Sequence, residues 1–514
     1  MKKTLLLLSL SAAALLIVGC ANDAQSPAPK AAAGAPKANP NKVEIFNGKD
    51  LTGFKKLGGD ATYAVSAQGS LVGTSTLNTP NTFLATDKDY GNFVLEYEFK
   101  NDPRLNSGVQ FRSHSEAKEV TYKGGDGKPA KVPAGRVHGY QAEIDTDPKN
   151  VKKDAPGARM WSAGLYEEGR RGWIFPGFGG GDALAFSQQG REITKVGEWN
   201  RVKVEANGPR IRTWLNGVQR VDVRDDGYRT GFIAFQVHGI GKDAAKAGTT
   251  VEWRNISLTK IPDNSLTESE KADGWKLLFD GRSSKGWRSA KGPDFPKAGW
   301  SVEKGTLRTA KGDGKESANA GDIITIERFK EFEVSVDFKL TKGANSGLKY
   351  FVQPDLNQGA GSAFGLEFQM LDDAVHPDAK LGRDGNRTVS SLYDLKTASK
   401  DKRANRIGDF NNAYVIAKGT KVEHWLNGRL VISYDRSTQE FRDLVAKSKY
   451  ADPKYGKNFG EWADGHILLQ EHGDEVWFKN VKLRDLAPKP VAKPAAKGGK
   501  GGKKAPAKKE EAKK

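Results

Sequence analysis

Apolar and polar residues alternate strictly in many short stretches of this chain. In residues 93–100 and again in 332–340, four apolar or aromatic side chains fall on one face. A period of two residues is that of a β-strand with one buried face. Residues 200–223 contain three such stretches, separated by Asn-Gly pairs at 207 and 216, and Asn-Gly favours tight hairpin turns. The pattern therefore predicts an antiparallel, all-β protein with few helices, in which Trp214 is buried at the end of its strand.

A series of sequence landmarks occurs twice in the same order. The pairs are FNGKDLTGF at 46 with FDGRSSKGW at 279, NSGVQF at 106 with NSGLKYF at 345, GYQAEID at 139 with GLEFQMLD at 365, LYEEG at 165 with LYDLK at 392, TWLNG at 213 with HWLNG at 424, and FQVHG at 235 with LQEHG at 469. The offset is 233 residues for the first pair and 211 for the tryptophans of WLNG. A fixed order with a drifting offset indicates a duplicated domain with different loop lengths.

The duplication divides the chain into two large domains with tails. We expect a signal peptide at 1–20, a disordered tether at 21–42, the first domain at 43–261, a linker at 262–274, the second domain at 275–486, and a disordered tail at 487–514. Domains of roughly 220 residues can each bury a full core. Many short alternating strands in a unit of this size favour a β-sandwich, of which one sheet can face water or a ligand.

The N-terminus has the features of an export signal. Two lysines precede an apolar run at 5–18 that is too short to span a membrane, and the run ends at Cys20. This arrangement resembles a bacterial lipoprotein signal, in which the cysteine is lipidated; an ordinary secretory signal is the alternative. Ala21 follows the cysteine where an inner-membrane protein would have Asp. We therefore expect a lipid-anchored protein of the cell envelope, at the outer membrane.

The net charge of the chain adds little to the predicted fold and localisation. The chain carries a formal net charge of +19, but removing the lysine-rich tail together with Lys2 and Lys3 lowers it to +9. A basic tail of Lys, Ala, Pro and Gly is usually solvated and unfolded. Nucleic acid is a poor candidate partner for an exported protein, and Cys20 is the only cysteine, which excludes a disulfide within the chain. The oligomeric state does not follow from the sequence.

The six ordered landmarks, twice over, resemble the 3-keto-disaccharide hydrolase family, formerly a domain of unknown function. The resemblance covers about 43–261 and 275–486. It implies two tandem jelly rolls similar to the concanavalin-type lectins, and exported proteins that act on sugars oxidised at C3. A ketone at C3 acidifies the hydrogen at C2, so that a base can remove it and the C1 substituent can leave. Such a site needs a general base, an acid for the leaving oxygen, and a cation or metal for the enolate.

Candidate residues for this chemistry cluster near strand ends in both copies. In the second copy, alternation places Glu367 and Gln369 on one face, and we expect catalytic roles for Glu367, Asp372, His376 and His472, with Gln369 and Tyr393 binding substrate. In the first copy the corresponding candidates are catalytic Glu143, Asp145 and His238, with Gln141, Tyr166, Arg112 and Arg170 binding substrate. Such clusters suit proton transfer or a divalent metal of unknown identity, and no cofactor is certain. Polar residues decorating a solvated sheet face are the alternative.

The sequence is compatible with three hypotheses about function. The first is an exported enzyme that cleaves 3-keto-glycosides by hydrolysis or by elimination followed by hydration. A non-catalytic carbohydrate-binding lipoprotein would share the fold, because fold does not determine function. A conventional glycosidase would require two carboxylates facing each other across the sheet. The copies differ at Gln141/Glu367 and Glu143/Gln369, which suggests specialisation without indicating which copy is catalytic.

Overall fold

A computed structural model describes residues 39–123, 129–151, 156–313, 315, 319–356 and 361–487. The signal peptide with Cys20, most of the tether, and the tail beyond Ala487 lie outside the described residues. Asn41–Lys514 forms one compact unit, and the other unit, Met1–Pro40, contributes only residues 39 and 40 to the described part. Within the described residues, no helix is long and apolar enough to cross a membrane.

The first copy is a sandwich of two antiparallel sheets. Its elements are β1 Lys42–Val43, β2 Phe54–Gly58, β3 Thr62–Val65, β4 Leu71–Thr74, β5 Thr82–Thr86, β6 Phe93–Asn101, β7 Ser107–Ser115, β8 Val120–Lys123, β9 Pro129–Val132, β10 Val137–Ile144, β11 Leu165–Glu168, β12 Gly172–Phe175, α1 Ala183–Ile193, β13 Asn200–Asn207, β14 Arg210–Leu215, β15 Val218–Arg224, β16 Phe232–Val237, a 3-10 turn Ala244–Lys246, and β17 Thr250–Lys260. The back sheet has the order β15-β14-β13-β6-β17-β4-β3, with β1 beside β17. The front sheet has the order β12-β11-β10-β7-β16-β5-β2, and β8 pairs separately with β9.

The second copy repeats the two sheets with a smaller front sheet. Its elements are α2 Glu268–Ala272, β18 Trp275–Leu277, β19 Trp287–Ser289, β20 Trp300–Glu303, β21 Thr306–Thr309, β22 Ile323–Thr325, β23 Phe332–Leu340, β24 Asn345–Gln353, β25 Phe364–Leu371, β26 Asn411–Lys418, β27 Lys421–Leu426, β28 Arg429–Asp435, α3 Gln439–Ala446, β29 His466–Leu469 and β30 Val476–Asp485, with 3-10 turns at Pro377–Lys380, Lys449–Ala451 and Pro453–Tyr455. The back sheet has the order β20-β21-β30-β23-β26-β27-β28, with β18 beside β30, and the front sheet β19-β22-β29-β24-β25. The protein is thus all-β, with two tandem jelly-roll sandwiches.

The core of each sandwich lies between its two sheets and follows from the strand alternation. In β6, Phe93, Leu95, Tyr97 and Phe99 are buried and contribute to the core of the first copy. The alternate residues of β23 do the same in the second copy, namely Phe332, Val334, Val336 and Phe338. Burying each such side chain contributes roughly 1.5–3 kcal/mol. In a front-sheet strand the alternate residues therefore face away from the core, which positions them for binding.

The WLNG landmark is a strand end followed by a two-residue hairpin turn. Asn216 and Gly217 have φ of 50° and 87°, and the equivalent Asn427 and Gly428 have φ of 55° and 95°, as the Asn-Gly pattern predicts. Two details of the prediction are wrong. The preceding turn is one residue later, at 208–209. Trp214 is only half-buried, because it points outward from the back sheet, where the Lys203 ammonium lies 3.6 Å above its ring.

The region between the two copies is structured. The interval 262–274, predicted as a polar linker, contains α2, whose N-terminus is closed by a capping box between Thr267 and Glu270. Glu270 forms an ion pair with Lys482 of the second copy. The guanidinium of Arg224 lies 3.4 Å from the ring centroid of Tyr414, across the contact between the copies. The two sandwiches therefore pack as parts of one unit.

Candidate active site on the front sheet of the first copy

A hollow of about 430 Å3 opens on the front sheet of the first copy. Its lining consists of Asn81, Asn106, Arg136, Gln141, Glu143, Asn150, Arg159, Tyr166, Glu168, Trp173, Gln236 and His238, and we call it the first hollow. Its volume falls in the range of small-molecule binding sites. Polar side chains dominate the lining, as a sugar with many hydroxyl groups requires.

The strands position the central acid of this hollow. In β10, Tyr140, Ala142 and Ile144 point into the core, so Gln141 and Glu143 point to the opposite face. Gly108, the glycine of the NSG landmark, leaves space for the side chain of Gln141. A Cβ at this position would lie 2.5 Å from that side chain. Only glycine therefore allows β7 to lie beneath that side chain.

Glu143 is a buried carboxyl with several partners. Its Oε1 accepts a hydrogen bond from the Asn106 amide at 2.8 Å, and its Oε2 accepts one from the Gln141 amide at 2.9 Å. The Arg159 guanidinium lies 3.7 Å from Oε1. These contacts favour the charged form, but burial outweighs them and, together with nearby Asp145, raises the pKa of Glu143 to about 7. Near neutral pH this group can both take up and release a proton.

Two arginines reach the hollow from loops. Arg159 is held by Asp145, which accepts its Nε–H at 2.6 Å and lies almost fully buried. Arg136 is paired with Glu168 at 2.7 Å. Because each guanidinium has a carboxylate partner, the hollow combines positive charge with acids without leaving a bare buried ion. This part of the site was missed in the sequence, since alternation does not describe loops.

The buried amide of Gln236 has no partner in the part of the chain that the structure describes. Both its Oε1 and its Nε2 are inaccessible to solvent and make no hydrogen bond there, although the side chain lines the hollow. A buried polar group left without partners costs about 1–3 kcal/mol. Trp173 adds a half-buried ring at the edge of the same hollow, 5.1 Å from Tyr166. An unsatisfied amide beside an aromatic ring suits a sugar, which offers hydroxyl groups and C–H faces.

Tyr166 and His238 complete the lining of the first hollow. Burial, with smaller effects from Glu168 and Glu143, raises the pKa of Tyr166 above its usual value near 10. Its hydroxyl therefore keeps its proton and can donate it in a hydrogen bond. His238 is exposed, and its Nδ1 lies 2.8 Å from the carbonyl oxygen of Gly239.

Three predicted residues of the first copy, Arg112, Arg170 and Asp145, do not line the hollow. The Arg112 guanidinium is fully buried and donates to backbone carbonyls at Gly91 and Gly208, both at 2.8 Å. Arg170 forms an ion pair with Glu167. Asp145 does not line the hollow but accepts hydrogen bonds from two residues that do, Arg159 at 2.6 Å and Asn150 at 3.1 Å, and these contacts suit a positioning residue.

The corresponding hollow of the second copy is much smaller, about 80 Å3, and we call it the second hollow. Its lining includes Asn345, Lys349, Glu367, Gln369, Tyr393, Lys449, Tyr450, Tyr455, Gln470 and His472. The segment 436–465, which contains α3, brings Tyr450 and Tyr455 over the sheet, whereas only residues 225–231 join the equivalent strands β15 and β16 of the first copy. This insertion accounts for the reduced space.

Four of the six residues predicted for the second copy line this hollow. Glu367, Gln369, Tyr393 and His472 do so. Asp372 lies outside the lining and instead accepts hydrogen bonds from the backbone of Gly343 and Ala374 at 2.8 and 3.2 Å.

His376 also lies outside the lining of the second hollow. Its ring centroid is 6.2 Å from that of His472. Burial and the neighbouring His472 lower the pKa of His376, which keeps its imidazole neutral near neutral pH.

Comparison with known proteins identifies the family. The profile of the 3-keto-alpha-glucoside-1,2-lyase-like domain matches residues 41–259 and again 274–484. The chain belongs to this family. A 3-keto-disaccharide hydrolase of Bacteroides thetaiotaomicron is 34% identical over 265 residues, which is 48% of this chain and 91% of that protein.

Two similar solved structures each cover less than half of this chain. A glycosyl hydrolase candidate from Parabacteroides distasonis is 30% identical with a TM-score of 0.37, and covers 44% of this chain and 100% of its own. A carbohydrate-binding module of Bacillus subtilis is 17% identical with a TM-score of 0.22, and covers 41% and 96%.

Proposed function

We propose that the first copy is a hydrolase that cleaves 3-keto-glycosides, with Glu143 as the group that moves the proton. The observation that carries the proposal is a buried carboxyl with a pKa of about 7 in a hollow large enough for a sugar. A general base is most effective when its pKa lies near the working pH. The family and the curated relative support a substrate that is oxidised at C3.

The reaction divides into an elimination and a hydration. The ionised Glu143 takes the hydrogen at C2, and the electron pair of that bond forms an enolate with the C3 ketone. The guanidinium of Arg159 supplies positive charge beside the site. As the enolate collapses, the C1–O bond breaks with its electron pair on the departing oxygen, which receives the proton from Glu143. Water then adds its hydroxyl at C1 and its hydrogen at C2, so that one water is consumed for each bond cleaved.

The remaining lining residues bind and orient. Tyr166 offers a donor to a sugar hydroxyl, and a turn of the buried Gln236 side chain toward the hollow would add a donor and an acceptor. The Trp173 ring provides a surface for the sugar face. Tyr166 and Trp173 already line the hollow before substrate arrives, and such preorganisation lowers the cost of binding.

The decisive experiment compares a 3-keto-disaccharide with its unoxidised parent, using the purified chain. We expect release from the keto sugar only, and a kcat/KM that rises with pH up to about 7. Glu143→Gln should lower kcat/KM at least about 100-fold, which is the usual contribution of acid–base catalysis. The matched variant Glu367→Gln, in the second copy, should retain activity.

Each other outcome selects a different function. Release from the unoxidised parent as well would indicate a conventional glycosidase, with Glu143 and Glu168 as its pair of carboxylates. Binding without release from either sugar would indicate a carbohydrate-binding protein. A loss of activity in Glu367→Gln but not in Glu143→Gln would transfer the reaction to the second copy.

We also propose that the protein acts in the cell envelope, anchored by lipid on Cys20. The apolar run that ends at this cysteine supports the proposal, and a glycan-degrading activity suits an exported protein. Fractionation should find the chain in the outer membrane and Cys20→Ser in the soluble fraction. Equal distribution of both forms would refute lipid anchoring at this position.

A further inference from the structure

Three metal-ligating side chains converge at one end of the front sheet of the second copy. They are His376, which follows β25, and His472 and Asp474, which follow β29. One donor atom from each lies within 4.8 Å of the others, and all three side chains are half-buried. In the described part of the chain, this is the only group of three His, Cys, Asp or Glu residues that meets this condition.

We propose that His376, His472 and Asp474 bind a divalent transition-metal ion, with Zn2+ as the ion of choice. Two imidazoles and one carboxylate suit zinc, whereas Ca2+ and Mg2+ prefer oxygen ligands alone. Three protein ligands leave one position of a tetrahedron open, as in sites where the ion also binds water or another oxygen ligand. The proposal does not depend on the activity of the first copy.

The geometry requires only a small contraction. Zinc–nitrogen bonds of about 2.0–2.1 Å separate the ligands of a tetrahedron by roughly 3.4 Å, compared with at most 4.8 Å here. The Nδ1 atom of His472 is inaccessible to solvent and makes no hydrogen bond to any described residue. Ligation by this atom would satisfy a buried polar group that otherwise costs about 1–3 kcal/mol.

Surrounding contacts already fix two of the three ligands. The carboxylate of Asp474 accepts the backbone N–H of Asn345 at 2.9 Å, which orients it. The carbonyl of Gly473, between the two ligands, accepts the N–H of Gly312 at 2.8 Å. A rigid backbone at the ligands favours binding, because less conformational freedom is lost.

His376 must give up one hydrogen bond to bind the ion. Its Nδ1 accepts the backbone N–H of Asp378 at 3.1 Å. A metal on Nδ1 takes that lone pair, and a metal on Nε2 leaves the proton on Nδ1, so the bond is lost either way. The loss costs about 1 kcal/mol, far less than the roughly 10–16 kcal/mol of zinc binding in zinc-finger peptides.

The first copy lacks this arrangement. His238 is the counterpart of His472, but Ile240 stands where the second copy has Asp474, and no histidine follows Asp145 as His376 follows Asp372. The cluster is thus a property of the second copy alone. Because His472 also lines the second hollow, the bound ion would lie at the edge of that hollow, where its open position can take a water or a sugar oxygen.

The test is direct metal binding by the full chain, without an affinity tag. After dialysis against chelator, calorimetric titration with Zn2+ should show one saturable site, and Co2+ should give the visible absorption of a tetrahedral complex. Ca2+ and Mg2+ should not compete. His472→Ala and His376→Ala should each weaken Zn2+ binding at least about 100-fold, while the matched variant His238→Ala in the first copy should bind as the parent does.

The opposite results would overturn the proposal. They are the lack of a one-to-one site for Zn2+, or equal affinity in the parent chain and in both ligand variants. Tighter binding of Ca2+ than of Zn2+ would equally exclude a site built on imidazoles. Thermal unfolding identifies a variant that fails to fold. If His472→Ala fails to fold, the Zn2+ affinity of His376→Ala decides. We expect His376→Ala to fold, because His376 is half-buried and its replacement removes a single hydrogen bond.

Discussion

Replacing Glu143 by Gln tests whether burial sets the proton affinity of this group. Moving a carboxyl pKa from its ordinary 4.5 to about 7 corresponds to about 3 kcal/mol. Between these two pH values the folded chain holds a proton that the unfolded chain has lost. The free energy of unfolding therefore falls as the pH rises from 4.5 to 7, and the full 3 kcal/mol has been lost above pH 7. The amide has no proton to lose, so the variant lacks this dependence.

The assay is urea unfolding of the parent chain and of Glu143→Gln at pH 5 and pH 8. The quantity compared is the free energy of unfolding of Glu143→Gln minus that of the parent. We expect this difference to be about 3 kcal/mol larger at pH 8 than at pH 5. Glu96→Gln is the control, because Glu96 lies in a surface pair with Arg201 at 2.6 Å, and such pairs contribute little. A difference between parent and variant that stays constant from pH 5 to pH 8 would refute the reasoning.

Four further substitutions test other parts of the structure. Arg159→Met should lower the free energy of unfolding by about 2–4 kcal/mol, because it leaves a buried aspartate unpaired; urea unfolding measures this. Gln236→Leu should weaken the binding of a 3-keto sugar, as measured by calorimetry. Its free energy of unfolding should equal that of the parent or exceed it by up to about 2 kcal/mol, because the substitution removes a buried amide without a described partner. Gly217→Ala should cost about 1 kcal/mol from its φ of 87° alone, since an added Cβ has open space. Gly428→Ala should cost clearly more in the same assay, because its Cβ would meet Pro209 of the other copy at 2.7 Å; equal costs would contradict the packing between the copies.

The sequence predicts the front-sheet part of the site because a strand has only two faces. Once Tyr140 and Ala142 are assigned to the core, Gln141 and Glu143 must lie on the other side. The duplication strengthens the inference, since the same alternation recurs around Glu367. Hairpin turns are predictable for a similar reason, because the Asn-Gly pairs specify a positive φ.

Alternation fails where a strand contains a bulge. Arg112 follows Phe111 in β7, and a strict period of two would place it on the side of the hollow. Its φ of 46° and the shifted pairing between β10 and β7 mark a bulge, which turns the side chain away from the regular pattern. The counterpart Phe351, with φ of 52°, points into the core of the second copy. The sequence has no separate signal for this extra residue.

The sequence also does not predict which loop residues reach the first hollow. Arg159 and Arg136 lie 16 residues after and 7 residues before Glu143 in the sequence, in segments without a regular period. Their approach to the hollow depends on the path of the loops, which carboxylate partners then fix in place. The same limit applies to His376. Its position after a strand suggests a functional site, but its proximity to His472 can be seen only in the folded structure.

Glu143 on β10 and Glu367 on the equivalent strand β25 occupy different positions, which gives the two copies a different arrangement of charge on the front sheet. Glu143 lies opposite Gly108, and Glu367 lies two strand positions away from the equivalent place, a displacement of roughly 7 Å. There it faces Lys349 directly across the strand pair, and the Lys349 ammonium is 3.6 Å from the buried carboxylate of Asp322. Both acids are buried, but only Glu143 faces a glycine, whereas Glu367 faces a lysine that is itself paired with an aspartate. This difference supports the proposal that proton transfer belongs to the first copy, and the pair of variants Glu143→Gln and Glu367→Gln tests it.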